Sequence, residues 1–337
     1  MLNFDKDRFV KIQSGAVGIA GDVRSLMRKL LSEGAERLFF MGTGGVQLLT
    51  LPAIELAQRH STFPVSAQFP AQVVIDPPAG LNEKAIVILP SLSGTTKESV
   101  QLLAFLKSRG VKTISLTGHK DTPLAREADY NFTNFAEDDT SSESFYLQTL
   151  LIVLALLAER GEYGDFDAIV AELKQLPALL VDAKAAYEKP AAELAAAIKD
   201  ETYHIFTGAG SVWPETYYYG MCILEEMQWI RTRPVHAADF FHGTLELVEP
   251  GVSVFIFKGE DASRPLGDRV ENFAKRYSDR VRVLDAASVK LPGISAQVRG
   301  LISPILLATL LERLSAHLEV LRNHPLTTRR YYKRVEY

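Results

Sequence analysis

A loop rich in hydroxyl groups is the most specific chemical signal in the first half of the chain. Residues 91–98 read S-L-S-G-T-T-K-E and follow an uninterrupted apolar run at 85–89. The run predicts a buried parallel strand, and the residues after the loop predict a helix. Unpaired N–H groups at a helix N-terminus bind phosphate well. Ser and Thr are also common N-caps, worth about 1 kcal/mol each, but a cap needs one hydroxyl and this loop has four. The predicted phosphate ligands are Ser91, Ser93, Thr95 and Thr96, with Glu98 in the first helical turn.

Two glycine turns also follow predicted strands, G-T-G-G at 42–45 and G-A-G-S at 208–211. The first lacks the G-x-G-x-x-G spacing because position 47 is Gln, and no acidic residue ends the next strand, so NAD binding is not expected. A turn that lets the backbone approach a sugar phosphate and a plain strand–helix turn both fit this pattern. The candidate substrate contacts in the two turns are Gly42, Thr43, Gly44, Gly210 and Ser211.

A carboxylate and an imidazole in the second half could move protons. Glu226 lies on a predicted helix among Met221, Leu224, Met227 and Trp229, and His242 follows two phenylalanines and precedes a glycine. Apolar surroundings raise the pKa of a carboxyl group, which suits proton transfer at carbon, and imidazole titrates near neutrality. A Glu/His pair sixteen residues apart proves little by itself, because most such pairs are solvated surface residues or core groups with satisfied hydrogen bonds.

Strand–loop–helix units must position these residues. Strands are predicted at 37–41, 85–89, 113–117 and 130–132, then at 203–207, 252–258 and 280–284, with a long apolar helix at 298–314. Such alternation predicts parallel sheets with helices on both faces, an α/β fold. The order strand, glycine turn, helix occurs in both halves and indicates a structural duplication. We predict an N-terminal domain at 1–160, a helical connector at 161–197 and a C-terminal domain at 198–337.

Composition excludes several classes of function. The chain has 337 residues, 47% of them hydrophobic and 23% charged, and a net charge of −4, which gives no basic field for nucleic acid. Cys222 is the single cysteine, so neither an intrachain disulfide nor a multi-cysteine zinc site can form. The charged N-terminus lacks a signal-peptide core, and the apolar run at 147–158 is shorter than the ~20 residues of a membrane span. A cytoplasmic protein without nucleic-acid or membrane partners is expected.

The last residues are basic and aromatic. Residues 327–337 read T-T-R-R-Y-Y-K-R-V-E-Y, whereas disordered tails are depleted in aromatic residues. The segment is expected to pack on the protein, either covering a site or forming a terminal strand.

Together these motifs resemble the double-SIS-domain (sugar isomerase) family. That family includes the isomerase half of glucosamine-6-phosphate synthase and the bacterial deglycases that act on fructosamine 6-phosphates. The match covers nearly the whole chain. The phosphate pattern S-x-S-G-x-T-x-E corresponds to residues 91–98, and the E-M-Q-W-I at 226–230 and H-P-L-T-T-R-R-Y at 324–331 look most like the deglycase branch.

The resemblance implies two tandem SIS domains, each a mainly parallel, flavodoxin-like sheet in a three-layer αβα arrangement. It also implies that Glu226 and His242 are catalytic, that His242 acts across the interface of a homodimer, and that no metal or organic cofactor takes part. This chain departs from the pattern in places. Met41 precedes the first turn without the usual serine within it, Ala238-Asp239 replaces Gly-Glu, and Thr244 replaces Pro. Asp239 is a further substrate contact to consider, as is Lys333, which lies near the position of the ring-opening lysine of the synthase.

The implied reaction cleaves a fructosamine-type (Amadori) sugar–amine 6-phosphate into a hexose 6-phosphate and a free amine or amino acid. Glu226 would move the carbon proton between C1 and C2, and His242 would serve the sugar oxygen or the leaving nitrogen. Two alternatives remain open: an aldose–ketose isomerase or aminosugar-phosphate deaminase on the same scaffold, and a non-catalytic sugar-phosphate-binding regulator. Such regulators usually carry a DNA-binding helix-turn-helix segment, and none is predicted in this sequence.

Overall fold

The computed structural model describes residues 1–332 and 334–336, and the chain divides into two compact units. The N-terminal unit is Lys6–Ala178, and the C-terminal unit combines Met1–Asp5 with Leu179–Tyr337. The division falls inside the predicted connector at 161–197, whose helices are divided between the two units. Pro190 lies inside the helix Leu176–Ile198, where Ala191, Ala195 and Ile198 beyond it are fully buried and hold the helix in place by packing.

The N-terminal unit contains one sheet and its covering helices. Its strands are β1 (Arg37–Met41), β2 (Val65–Gln68), β3 (Ala85–Ser91), β4 (Lys112–Thr117) and β5 (Tyr130–Thr133). Its helices are α1 (Lys6–Gly18), α2 (Ala20–Ser32), α3 (Gly45–Leu48), α4 (Leu51–His60), α5 (Pro70–Ile75), α6 (Lys97–Ser108), α7 (Pro123–Glu127), α8 (Ser141–Glu159) and α9 (Phe166–Leu173).

The sheet is wholly parallel, in the order β2-β1-β3-β4-β5. This is the flavodoxin-like order, which confirms the predicted fold class. The strand order reverses between β1 and β3, and ligands of such sheets bind beyond the carboxyl ends of the strands at that switch point. Phe40 pairs with Ile88, so both strands end at the same edge of the sheet. The loops at 42–45 and 91–96 therefore lie at the switch point.

Burial explains which strands the sequence revealed. All seven residues of β3 are buried, as its continuous apolar run predicts. The edge strand β2 has the sequence V-S-A-Q and is only partly buried, so it lacks an apolar run and was not predicted.

The C-terminal unit repeats the arrangement. Its strands are β6 (Tyr203–Gly208), β7 (Arg231–His236), β8 (Ser253–Lys258) and β9 (Arg280–Asp285), all parallel in the order β7-β6-β8-β9. Its helices are α10 (Leu176–Ile198), α11 (Trp213–Tyr218), α12 (Glu226–Gln228), α13 (Arg264–Tyr277) and α14 (Ala296–Leu321), with a π-helical turn at Tyr219–Glu225 and 3₁₀ turns at Gly210–Val212, Thr244–Leu247 and Ala286–Ser288. The switch point of this sheet lies between β6 and β8, which supports the predicted duplication.

Two helices are long and apolar enough to cross a membrane, α8 and α14. Within the structure, 89% of the apolar window of α8 and 83% of that of α14 are buried. Both are core helices of their units, which accounts for their apolar sequences.

Candidate active site

The hydroxyl-rich loop is closed by hydrogen bonds among its own residues. Ser91 Oγ accepts a hydrogen bond from the Gly94 N–H at 3.1 Å and lies 3.4 Å from Thr96 Oγ1. Ser93 Oγ accepts hydrogen bonds from the Thr95 N–H at 3.3 Å and from Thr95 Oγ1 at 3.1 Å. The predicted ligands Ser91, Ser93, Thr95 and Thr96 thus lie within one turn of chain.

The N-terminus of α6 has no side-chain cap. Thr96 occupies the N-cap position but makes no cap hydrogen bond. Capping therefore does not explain the Thr96 hydroxyl, and the first-turn N–H groups keep their capacity to bind an anion. Glu98, in the first turn, is partly exposed.

Gly94 is the residue that makes the tight loop possible. Its φ is +64°, and a Cβ at this position would lie 2.1 Å from Thr122 Oγ1. Glycine reaches such a backbone conformation without steric cost, and here it also lets the loop approach the start of α7. Its carbonyl accepts the Leu124 N–H at 3.2 Å, which holds the loop against that helix.

The first glycine turn is stabilised from inside. Gln47, which is 2% exposed, accepts the Gly42 N–H through Oε1 at 2.5 Å and donates through Nε2 to the Phe40 carbonyl at 3.4 Å. The Gly42 N–H is therefore already hydrogen-bonded within the protein and is not free to bind a ligand. Thr43 and Gly44 are exposed, so these two keep the open positions expected of substrate contacts.

The glycine turn at 208–211 in the C-terminal unit is hydrogen-bonded to a carboxylate of the protein itself. Asp261 Oδ2 accepts hydrogen bonds from the Ser211 N–H at 2.9 Å and from Ser211 Oγ at 2.6 Å, while Oδ1 accepts the Ser263 N–H at 2.8 Å. A Cβ on Gly210 would lie 2.6 Å from Asp261 Oδ1. The donors of Gly210–Ser211 thus face an internal carboxylate at the switch point, a contact the sequence prediction did not include.

Glu226 stands directly after an irregular helical turn. The π-helical turn Tyr219–Glu225 leads into the short α12, and Trp229 then ends the helix at φ +57° in the left-handed region. The Ile230 N–H donates to the Leu224 carbonyl at 2.9 Å, which closes the helix end. A bulky residue in this conformation costs about 1–2 kcal/mol, and π-turns often occur at functional sites.

The surroundings of Glu226 differ from the apolar setting predicted from its neighbours in sequence. Arg329 Nε donates to Glu226 Oε1 at 2.9 Å, and the Glu226 side chain is 31% exposed. A guanidinium stabilises the ionised carboxylate. The sequence neighbours misled here because the contact partner comes from a segment 103 residues away.

His242 occupies an exposed turn between β7 and the 3₁₀ turn Thr244–Leu247. Phe240, fully buried in the core of the unit, anchors this turn, and Gly243 follows at φ +140°. The His242 N–H donates to the Asp239 carbonyl at 2.9 Å, so both predicted residues belong to one turn. Both side chains are exposed.

The C-terminal segment packs against the helix end that carries Glu226. Gln228 Nε2 donates to the His324 carbonyl at 2.7 Å, the His324 ring meets Trp229 edge-on at 4.5 Å, and the Arg330 guanidinium lies 3.9 Å from the centre of the Trp229 ring. Residues 322–332 and 334–336 form no strand, and Tyr331 and Tyr332 are exposed, so the packing observed is that of His324, Arg329 and Arg330. Lys333 lies outside the described residues.

Three contact residues were missed from the sequence: Gln47, Asp261 and Arg329. Asp261 follows β8 where the hydroxyl loop follows β3, so overlaying the two halves would have pointed to it. Within the described parts of the chain, no three His, Cys, Asp or Glu side chains lie together in a way that could hold a metal ion.

Comparison with known proteins gives the family. The SIS domain family matches residues 32–158. Fructosamine deglycase FrlB from Bacillus subtilis (strain 168) is 33% identical over 322 residues, covering 94% of this chain and 97% of its own. Fructoselysine 6-phosphate deglycase from Escherichia coli (strain K12) is 27% identical over 310 residues, covering 92% and 89%.

A solved structure agrees over the same span. The crystal structure of a putative phosphosugar isomerase from Bacillus subtilis superposes with a TM-score of 0.89 at 31% identity, covering 96% of this chain and 99% of its own. The similarity extends through both units, including the second sheet that the family match does not reach. This chain therefore belongs to the double-SIS-domain sugar-phosphate family and is an enzyme of the group that includes the bacterial fructosamine deglycases.

Proposed function

We propose that the chain is a deglycase that cleaves a fructosamine-type sugar–amine 6-phosphate into a hexose 6-phosphate and a free amine or amino acid. The observation that carries the proposal is the uncapped, hydroxyl-rich loop at the switch point of the first sheet. The names of the two curated relatives supply the substrate class.

The phosphate loop would bind the 6-phosphate through the hydroxyls of Ser91, Ser93 and Thr96 and the first-turn N–H groups of α6. Binding at this end of the substrate also positions the reacting carbons. In the C-terminal unit the Asp261 carboxylate already accepts hydrogen bonds from Ser211 and Ser263, which favours one phosphate site per chain.

The chemical steps need a proton acceptor at carbon. Removal of the C1 proton gives an enaminol, and return of a proton to C2 gives an imine at C1. Water then adds to C1 and the amine leaves, so the products are the aldose 6-phosphate and the free amine. Glu226 is assigned the carbon proton, and such a positioned acid–base group contributes ~10²–10⁴-fold.

His242 would protonate the sugar oxygen or the leaving nitrogen. Within the described residues its ring makes no hydrogen bond or ring contact, and the turn exposes it to solvent. An exposed imidazole of this kind fits the expectation that His242 acts in the site of a partner subunit of a homodimer. A cytoplasmic setting agrees with a phosphorylated substrate.

The test is product analysis with a panel of 6-phosphorylated Amadori compounds, measuring glucose 6-phosphate and free amine. Release of both in equal amounts supports the deglycase. Conversion without amine release would instead assign an aldose–ketose isomerase, and binding without any turnover would assign a regulator.

Variants separate the roles of the residues. Glu226→Gln should abolish turnover while the protein still folds and binds glucose 6-phosphate, and retained turnover would remove Glu226 from the mechanism. Ser93→Ala combined with Thr96→Ala should raise KM for the phosphorylated substrate with little change in folding. An unchanged KM would place the phosphate elsewhere.

A further inference from the structure

The ion pair between Glu226 and Arg329 joins the candidate proton acceptor to the C-terminal segment. The Arg329 side chain is 12% exposed, and its Nε donates to Glu226 Oε1 at 2.9 Å. Its Nη1 donates to the carbonyls of Leu326 at 2.6 Å and Thr328 at 2.9 Å. The guanidinium is thus held by the backbone of its own segment while one edge faces Glu226, a preorganised arrangement for a charged hydrogen bond.

The segment is fixed to the helix end that presents Glu226. The contacts of His324 with Gln228 and Trp229, and of Arg330 with Trp229, all fall within three residues after Glu226. The Leu326 N–H also donates to Glu319 Oε1 at 2.9 Å, which ties the segment back to α14. Arg329 therefore reaches Glu226 as part of an ordered element.

Acidic groups lie close to this pair, and the cations Arg322 and Arg330 flank it at Gln228 and Trp229. Glu225 is adjacent in the chain, and Cys222 lies one helical turn before Glu226. Burial raises the pKa of the Cys222 thiol, the nearby carboxylates of Glu226, Glu215 and Glu225 raise it further, and Arg329 opposes them. Arg329 is thus hydrogen-bonded to Glu226 in a neighbourhood of three acidic side chains.

We propose that Arg329 is a positioning residue that keeps Glu226 ionised and oriented to accept the substrate's carbon proton. This rests on the proposed function, in which Glu226 takes the C1 proton. A carboxylate accepts a proton only in its ionised form, and neighbouring carboxylates favour the protonated form. The Arg329 hydrogen bond counteracts them, so the C-terminal segment sets the pH range in which the enzyme works.

The experiment is the pH dependence of kcat/KM for the parent and for Arg329→Gln, Arg329→Lys and Arg330→Gln. The pH dependence of kcat/KM reports the ionisation of groups in the free enzyme. Without the Arg329 hydrogen bond, the acid limb of the profile should move up by about one pH unit, so that kcat/KM at a given pH on that limb falls about tenfold. Arg329→Lys keeps the charge without the planar fork, and its limb should lie between those of the parent and Arg329→Gln.

Arg330→Gln is the matched control, since it removes the same charge from the neighbouring position, where the guanidinium lies over the Trp229 ring. It should keep the acid limb of the parent. A purely structural role for Arg329 would lower activity at every pH without moving the limb, and an unmoved limb in Arg329→Gln overturns the proposal. If Arg329→Gln does not fold, the limb of Arg329→Lys decides the matter in the same way.

Glu226→Gln separates this inference from the proposed function. An inactive Glu226→Gln together with an unmoved limb in Arg329→Gln rejects only the role of Arg329. A Glu226→Gln protein that still turns over rejects the proposed mechanism itself, whatever the limb does.

Discussion

Gly94 offers a sharp test of the phosphate loop, because an alanine adopts its conformation only at a cost. At φ +64° a non-glycine residue loses about 1–2 kcal/mol. A Cβ would also lie 2.1 Å from Thr122 Oγ1 and 2.7 Å from Thr122 Cβ, so Thr122 must move. That movement breaks the bond by which Thr122 caps α7 through the Ala125 N–H, a contact worth about 1 kcal/mol.

Gly94→Ala should therefore disfavour the binding-competent loop by about 2–3 kcal/mol. Each 1.4 kcal/mol is a factor of ten, so affinity for the phosphate end of a ligand should fall about 30- to 140-fold. Isothermal calorimetry with glucose 6-phosphate measures this directly, and KM for the phosphorylated substrate should rise in parallel.

Gly110→Ala is the matched control. Gly110 has φ +68°, but a Cβ there would meet only Glu83 Cβ at 3.9 Å. It follows the C-terminal end of α6, about 18 Å along the helix from the phosphate loop. Both variants lose backbone stability of similar size, measured by urea unfolding, but only Gly94→Ala should lose affinity. Equal affinities of the two variants for glucose 6-phosphate would refute this account of the loop.

Three further predictions concern the C-terminal unit and are measured by urea unfolding. Asp261→Ala should lower the free energy of unfolding by about 2–3 kcal/mol, because the Ser211 N–H and hydroxyl lose a charged acceptor. Arg313→Met should cost about 3 kcal/mol, because Glu188 loses the fully buried guanidinium that pairs with it. Burial lowers the pKa of His204 to about 4, whereas the unfolded value is about 6.5, so the unfolded chain binds the proton first as pH falls. The parent should lose about 3 kcal/mol between pH 6.5 and 4, and His204→Gln should lose less.

Each of these has a contrary result. Asp261→Ala with unchanged stability would mean that the turn does not need an internal anion. An Arg313→Met protein as stable as the parent would show that packing replaces the ion pair. Equal pH slopes for the parent and His204→Gln would show that another group governs acid sensitivity.

The sequence determined the fold class and much of the sheet framework. β1 has the bounds 37–41 that were predicted, and β3, β4, β6, β8 and β9 agree to within two residues. The prediction is most direct for β3 and β8, which are wholly buried and carry continuous apolar runs. The edge strands β2 and β7 were missed because their sequences, V-S-A-Q and R-T-R-P-V-H, contain no apolar run. The hydroxyl loop was also predicted, because its residues are consecutive in the chain and one strand and one helix hold them together.

Only the tertiary structure decided the surroundings of the predicted site residues. The charged partners of Glu226 and Ser211 are Arg329 and Asp261, which lie 103 and 50 residues away in the chain. The residues next to Glu226 and Ser211 in the sequence do not indicate such contacts. Glu226 was therefore expected in an apolar setting and is found beside Arg329. The pattern of apolar residues along one helix or strand indicates which of its faces is buried. The charges near a side chain depend instead on which distant segments pack against it in the folded protein.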